Sequence, residues 1–82
     1  MKFGQQQVWK KFGEHYKEFG LTHSQEGVQE YLRIAQEVHR NPILKHTFPQ
    51  TGYYRGETWM INNGRLLRLD PEGKFRTLYM LK

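Results

Sequence analysis

Residues 57–70 read ETWMINNGRLLRLD. The dipeptide Asn63-Gly64 separates two runs in which apolar and polar residues alternate, and Asn-Gly in that position is the strongest local signal for a two-residue β-hairpin turn. This turn places Trp59 opposite Arg68 on the neighbouring strand. The stretch therefore predicts two antiparallel strands, at about 56–62 and 65–70.

A second turn follows directly at residues 70–73, DPEG, where proline presets φ and Gly73 supplies a positive φ. It predicts a third antiparallel strand at about 74–81. Counting residues along this hairpin places Arg68 opposite Arg76. Because like charges directly opposite one another are unfavourable in a sheet, we expect these arginines either to point into solvent or to share an anion. A weaker strand or a loop is expected within 43–55.

The first forty residues have the period of a helix instead. Apolar residues recur at steps of three and four over residues 5–19, which predicts a helix that ends at Gly20. A second helix is predicted over residues 24–40, capped by Ser24 and stopped before Pro42. The pattern predicts one α+β domain over residues 1–82, with two N-terminal helices packed on a three- to four-stranded antiparallel sheet.

The composition limits the partners of this domain. The 82 residues carry a formal charge of +5 and no cysteine, so neither a disulfide nor a thiolate zinc site supports the fold. No apolar run is long enough to span a membrane and the N-terminus lacks a signal peptide, so no membrane anchor is expected. A basic domain with 15% aromatic residues favours a polyanionic partner, and nucleic acid first.

The sequence lacks the residues that several common catalytic mechanisms require. Ser24 and Asp70 are the only serine and aspartate, and each is expected to cap a helix or open a turn, which argues against a Ser-His-Asp triad. The four histidines are dispersed and no phosphate-binding glycine loop is present, so neither a metal nor a cofactor is predicted. Glu14 and Glu18 share a helix face and are expected to be solvated charges.

Hydrolysis of RNA fits the residues that remain, because the ribose 2′-hydroxyl is itself the nucleophile. The protein then needs a proton-transfer group, cations for the developing phosphorane charge and hydroxyls for the phosphate. The candidates are His15, Lys17, Arg68, Arg76, Thr77 and Tyr79, with Trp59 available to stack on a base. A noncatalytic RNA- or DNA-binding module fits these residues equally well, and a regulatory protein that binds another protein through its aromatic surface is a third interpretation.

Two stretches resemble a known group of toxins. The segment HYKEFGLTHSQEGVQEYLRIAQEV is similar to the two opening helices, and GRLLRLDPEGKFRTLYMLK is similar to the closing hairpin, of ribonuclease toxins of the barnase/EndoU/colicin/RelE-like superfamily. These include the colicin D type and the C-terminal tips of contact-dependent inhibition proteins. The resemblance implies helices packed on one face of an antiparallel sheet and metal-free cleavage of RNA, often tRNA.

The same resemblance implies roles for individual residues and for partners. His15 would be the general acid or base, Lys17 a phosphate ligand, and Thr77 and Tyr79 would line the same cleft. Arg76 is the arginine of the closing motif, so either the second hairpin contains a bulge or Arg76 is structural. The resemblance also implies an acidic immunity protein or antitoxin, and action in the bacterial cytoplasm after delivery as the C-terminal tip of a larger secreted protein.

Overall fold

Two helices precede a four-stranded antiparallel sheet in this computed structural model, which describes residues 1–81. The fold is therefore α+β, as the periodicity predicts. The elements are α1 (Gln5–His15), a 3-10 turn (Tyr16–Phe19), α2 (Gln25–Arg40), β1 (Leu44–Thr47), β2 (Thr58–Asn62), β3 (Arg65–Leu69) and β4 (Phe75–Met80). The strands lie in the sheet in sequence order, so that β1 and β4 form the two edges.

The hairpin signals are confirmed in detail. Asn63 and Gly64 have φ values of 50° and 75°, the left-handed pair that a turn between right-twisted strands requires. Trp59 lies opposite Arg68, as predicted from the position of this turn. The weaker strand expected within 43–55 is β1, which pairs with β2.

The predicted pairing of Arg68 with Arg76 is wrong. The second hairpin begins as expected, with Leu69 opposite Phe75, but a β-bulge then shifts the register so that Arg68 lies opposite Thr77. The inserted residue is Arg76. Its insertion places both Phe75 and Leu78 in the core, which strict alternation forbids for two residues three positions apart.

The predicted helix over residues 5–19 is continuous only as far as His15. The backbone of His15 leaves the helical region, with φ −124° and ψ −4°, and the next four residues form the 3-10 turn. This change directs Phe19 edge-on against Tyr31 of α2, with ring centroids 5.5 Å apart. Helix α2 agrees with its prediction, since the Ser24 hydroxyl accepts a hydrogen bond from the Gly27 amide at 3.1 Å.

The core lies between the helices and one face of the sheet. Its buried apolar side chains are Val8 and Phe12 of α1, Val28, Tyr31, Ile34, Ala35 and Val38 of α2, and Met60, Leu67, Leu69, Phe75 and Leu78 of the sheet. Within residues 1–81, no helix has both the length and the apolar composition that a membrane crossing requires.

Tyr31 joins this core to β4 by a hydrogen bond. Its side chain is fully buried, and its hydroxyl donates to the Leu78 carbonyl oxygen at 2.6 Å. Burial raises the pKa of the Tyr31 phenol well above its usual range, so the hydroxyl stays protonated and continues to donate. This hydrogen bond thereby satisfies both the Tyr31 hydroxyl of α2 and the Leu78 carbonyl of β4 inside the apolar core.

Tyr31→Phe should lower the free energy of unfolding by about 1–2 kcal/mol, because the Leu78 carbonyl would stay buried without its donor. Urea denaturation followed by circular dichroism measures this change, and the denaturant dependence should be unaltered. Tyr53→Phe is the matched control because Tyr53 is 91% exposed. Equal stabilities of the two variants would mean that the buried bond contributes nothing.

Candidate active site

The C-terminal end of α1 contacts β4, which is one of the two edge strands of the sheet. His15, the last residue of α1, stacks on Tyr79 of β4 with ring centroids 5.6 Å apart and an interplanar angle of 28°. The register places Tyr79 on the face of the sheet opposite the helical core. The fold thus joins two predicted site residues that are more than sixty positions apart in the chain.

Glu18 holds the imidazole ring in place. One carboxylate oxygen of Glu18 lies 2.5 Å from His15 Nδ1, and the other accepts a hydrogen bond from the Met80 backbone N–H at 3.1 Å. Because a carboxylate accepts hydrogen bonds, Nδ1 is the donor and Nε2 is the ring nitrogen left to exchange a proton. Nε2 lies 3.9 Å from the Glu14 carboxylate.

The 3-10 turn explains why Glu18 reaches both partners. Side chains three residues apart are eclipsed in a 3-10 helix, so Glu18 lies under His15 rather than rotated away from it. Glu18 is exposed, as expected of a solvated charge, but its carboxylate is also hydrogen-bonded. It connects the end of α1 to the backbone of the edge strand.

Thr77 lies on the same face of β4 as Tyr79, two residues earlier in the strand. Its side chain is only 5% exposed, and its hydroxyl oxygen has no hydrogen-bond partner among residues 1–81. An unpaired buried hydroxyl costs about 1–3 kcal/mol. A water molecule or a polar group of a ligand at this position would remove that cost.

Lys17 is placed differently from the other predicted site residues. It is exposed on the 3-10 turn, where its ammonium group lies 6.0 Å from the centre of the Tyr16 ring. No contact with His15, Thr77 or Tyr79 is found for this ammonium group within the described part of the chain. Its role as a phosphate ligand stays a prediction.

Arg68 and Arg76 share an anion, which is the side-chain carboxylate of Glu57. The Glu57 carboxylate accepts two hydrogen bonds from Arg68, at 2.9 and 3.0 Å, and its other oxygen lies 3.2 Å from Arg76 Nε. The Trp59 indole N–H also donates to Glu57, at 2.9 Å. A phosphate at either arginine would therefore compete with a carboxylate that is only 5% exposed.

Trp59 belongs to a small aromatic cluster on this outer face of the sheet. Its ring centroid lies 4.9 Å from those of both Phe48 and Tyr54, and the Arg68 guanidinium lies 4.8 Å from it. These contacts pack Trp59 against the loop between β1 and β2 and leave it half-buried. Stacking of Trp59 on an RNA base stays a prediction.

Two carboxylates that complete these arrangements, those of Glu18 and Glu57, are not among the site residues predicted from the sequence. For Glu18 a signal existed, because a histidine and a glutamate three residues apart on a helix are neighbours. For Glu57 the sequence offers no comparable signal. The partners of Glu57 depend on the bulge that changes the position of Arg76 and on the loop that packs against Trp59.

The arrangement combines a histidine with a carboxylate that orients it, and such a pair can transfer protons. Within residues 1–81 no three histidine, aspartate or glutamate side chains lie close enough to hold a metal ion. Searches with the chain against family models, curated proteins and solved structures found no match.

Proposed function

We propose that the protein is a metal-independent endoribonuclease that cleaves RNA, with tRNA as the expected substrate. The observation that carries this proposal is the contact of His15 with both Glu18 and Tyr79 at the edge of β4. Glu18 fixes the imidazole, and a hydroxyl-bearing ring lies beside it. This is the arrangement of a positioned general base with its orienting carboxylate.

In the proposed reaction, His15 Nε2 removes the proton from a ribose 2′-hydroxyl. The 2′ oxygen bonds to the neighbouring phosphorus as the bond from phosphorus to the 5′ oxygen breaks. The leaving 5′ oxygen takes up a proton from water, and the upstream fragment ends in a 2′,3′-cyclic phosphate. The Tyr79 hydroxyl donates a hydrogen bond to a non-bridging oxygen, Thr77 lines the cleft beside it, and Lys17 supplies a positive charge to the phosphorane.

The biological setting that we propose comes from the resemblance to toxin domains. The proposed enzyme is a toxin that acts on RNA in the bacterial cytoplasm and reaches it as the C-terminal tip of a larger secreted protein. Its proposed inhibitor is an acidic immunity protein or antitoxin. The net charge of +5 supports an acidic partner, because complementary charge accelerates association.

Cleavage should persist in excess EDTA, and it should stop when the substrate is made 2′-deoxy at the scissile position. The first result is expected because the proposed site uses only protein side chains, and the second because the 2′ oxygen is the nucleophile. Gel analysis of end-labelled tRNA and of a matched substituted oligonucleotide measures both. Cleavage of the 2′-deoxy substrate, or activity that returns only with added magnesium, would contradict the mechanism.

A second candidate function is noncatalytic binding of RNA. It is favoured by the aromatic cluster around Trp59, which continues into Tyr53, a side chain that is 91% exposed. Exposed aromatic rings beside arginine are a common surface for stacking unpaired bases. Incubation with total RNA separates the two functions, since only a nuclease produces defined fragments.

A further inference from the structure

A cleft of about 410 Å³ lies along α1 on the N-terminal side of His15. One wall is the first half of α1, and the other is β4 with the turn that precedes it. Eight residues line the cleft: Gly4, Gln7, Lys10, Lys11, Asp70, Lys74, Phe75 and Arg76. Four of them are cationic and one is acidic.

The single carboxylate of this lining is already engaged. One oxygen of Asp70 accepts hydrogen bonds from the backbone N–H groups of Glu72 and Lys74, both at 2.9 Å. It therefore holds the turn between β3 and β4 together. Arg76, at the other side of the cleft, is bound to Glu57.

Three lysines remain to bind a ligand in the cleft. Lys10 has no acidic partner within residues 1–81. Lys11 lies 3.4 Å from Glu14, and Lys74 lies 3.4 Å from the exposed Glu72. Ion pairs at such surface positions contribute about 0–1 kcal/mol, so either lysine can exchange its carboxylate for a phosphate at little cost.

The cleft lies on the same side of α1 as His15. Gln7, Lys11 and His15 follow one another at steps of four residues and so share one side of α1. Gln7 donates to the Arg76 carbonyl oxygen at 2.7 Å, which fixes this side of the helix against the edge of β4. With a rise of 1.5 Å per residue, Lys11 precedes His15 by about 6 Å along the helix.

We propose that this cleft binds the backbone phosphates of the RNA strand on one side of the scissile bond. The inference rests on the proposed function, which places that bond at His15. A strand that enters the site at Tyr79 continues along the seam between α1 and β4. Its phosphates then meet Lys10, Lys11 and Lys74, which recognise charge and not base identity.

The test compares Lys10→Gln/Lys74→Gln with the unaltered protein. The probe is a short fluorescein-labelled single-stranded RNA in which every 2′-hydroxyl is methylated, so that it cannot be cleaved. Loss of two phosphate contacts should weaken binding roughly tenfold at low salt and reduce the salt dependence of log K by about 1.4. On cleavable RNA, KM should rise while kcat stays within about twofold, because these contacts are made equally before and during reaction.

The matched control is Lys45→Gln/Arg55→Gln, which removes the same charge on β1 and on the loop that follows it. Circular dichroism confirms that both variants are folded. A reduced salt dependence in the cleft variant alone supports the cleft. An equal reduction in both variants overturns it, since binding then reflects diffuse charge. If the unaltered protein binds through the cleft but never cleaves RNA, the nuclease proposal fails while the cleft stands as a phosphate-binding site.

Discussion

His15→Ala should reduce the rate of RNA cleavage by about 100-fold or more, the usual contribution of a positioned general base. The variant loses the nitrogen proposed to accept the 2′ proton and leaves Glu18 and Tyr79 without their shared partner. A time course with labelled tRNA at saturating substrate gives kcat. The methylated RNA used for the cleft should still bind, because the lysines are unchanged.

His46→Ala is the control for this experiment. His46 is an exposed residue of β1, at the opposite edge of the sheet. Its removal should leave cleavage unchanged. If a folded His15→Ala protein cuts RNA as fast as the His46→Ala protein, His15 is not the proton-transfer group and the proposed mechanism is wrong.

Glu57→Ala should be the most damaging single change to stability outside the apolar core. It would leave Arg68, Arg76 and the Trp59 indole without their common acceptor. Breaking a buried ion pair by removing one partner costs about 3–5 kcal/mol, and the exposure of Arg76 favours the lower end. A loss of about 3 kcal/mol lowers the melting temperature of a domain this size by roughly 12–24 °C.

Thermal denaturation of two further variants makes this result specific. Glu72→Ala removes an equally charged residue from an exposed pair with Lys74 and should barely change the melting temperature. Glu57→Gln retains an acceptor oxygen and should lie between the unaltered protein and Glu57→Ala. If the Glu57→Ala and Glu72→Ala proteins have the same melting temperature, Arg68 and Arg76 do not need a buried anion.

Local signals in the sequence predicted most of the fold. Asn63-Gly64 requires left-handed backbone that few other pairs adopt, and Ser24 offers a hydroxyl to the free amides of a helix start. Both act within a few residues, so the chain around them suffices. The bulge at Arg76 depends on the whole core, because only packing against the helices decides that Phe75 and Leu78 both turn inward.

The candidate site was only partly predictable for the same reason. The resemblance implies that His15 and Tyr79 share a cleft, but their stacking follows from the way α1 lies along β4. The reach of Glu18 depends on the change from α to 3-10 geometry after His15, which the apolar period does not indicate. Side-chain chemistry can be listed from a sequence, whereas the partner of each group depends on tertiary contacts.

The joining of α1 to the last strand also determines when the site can exist during synthesis. Domains begin to fold from the N-terminus while the chain is still being made. The helices and the first hairpin can form early, but His15 has no Tyr79 to stack on and Glu18 has no Met80 amide to bind until β4 has been translated and paired. A nascent chain that ends before β4 therefore lacks the site, and the proposed ribonuclease activity cannot appear before that strand has left the exit tunnel.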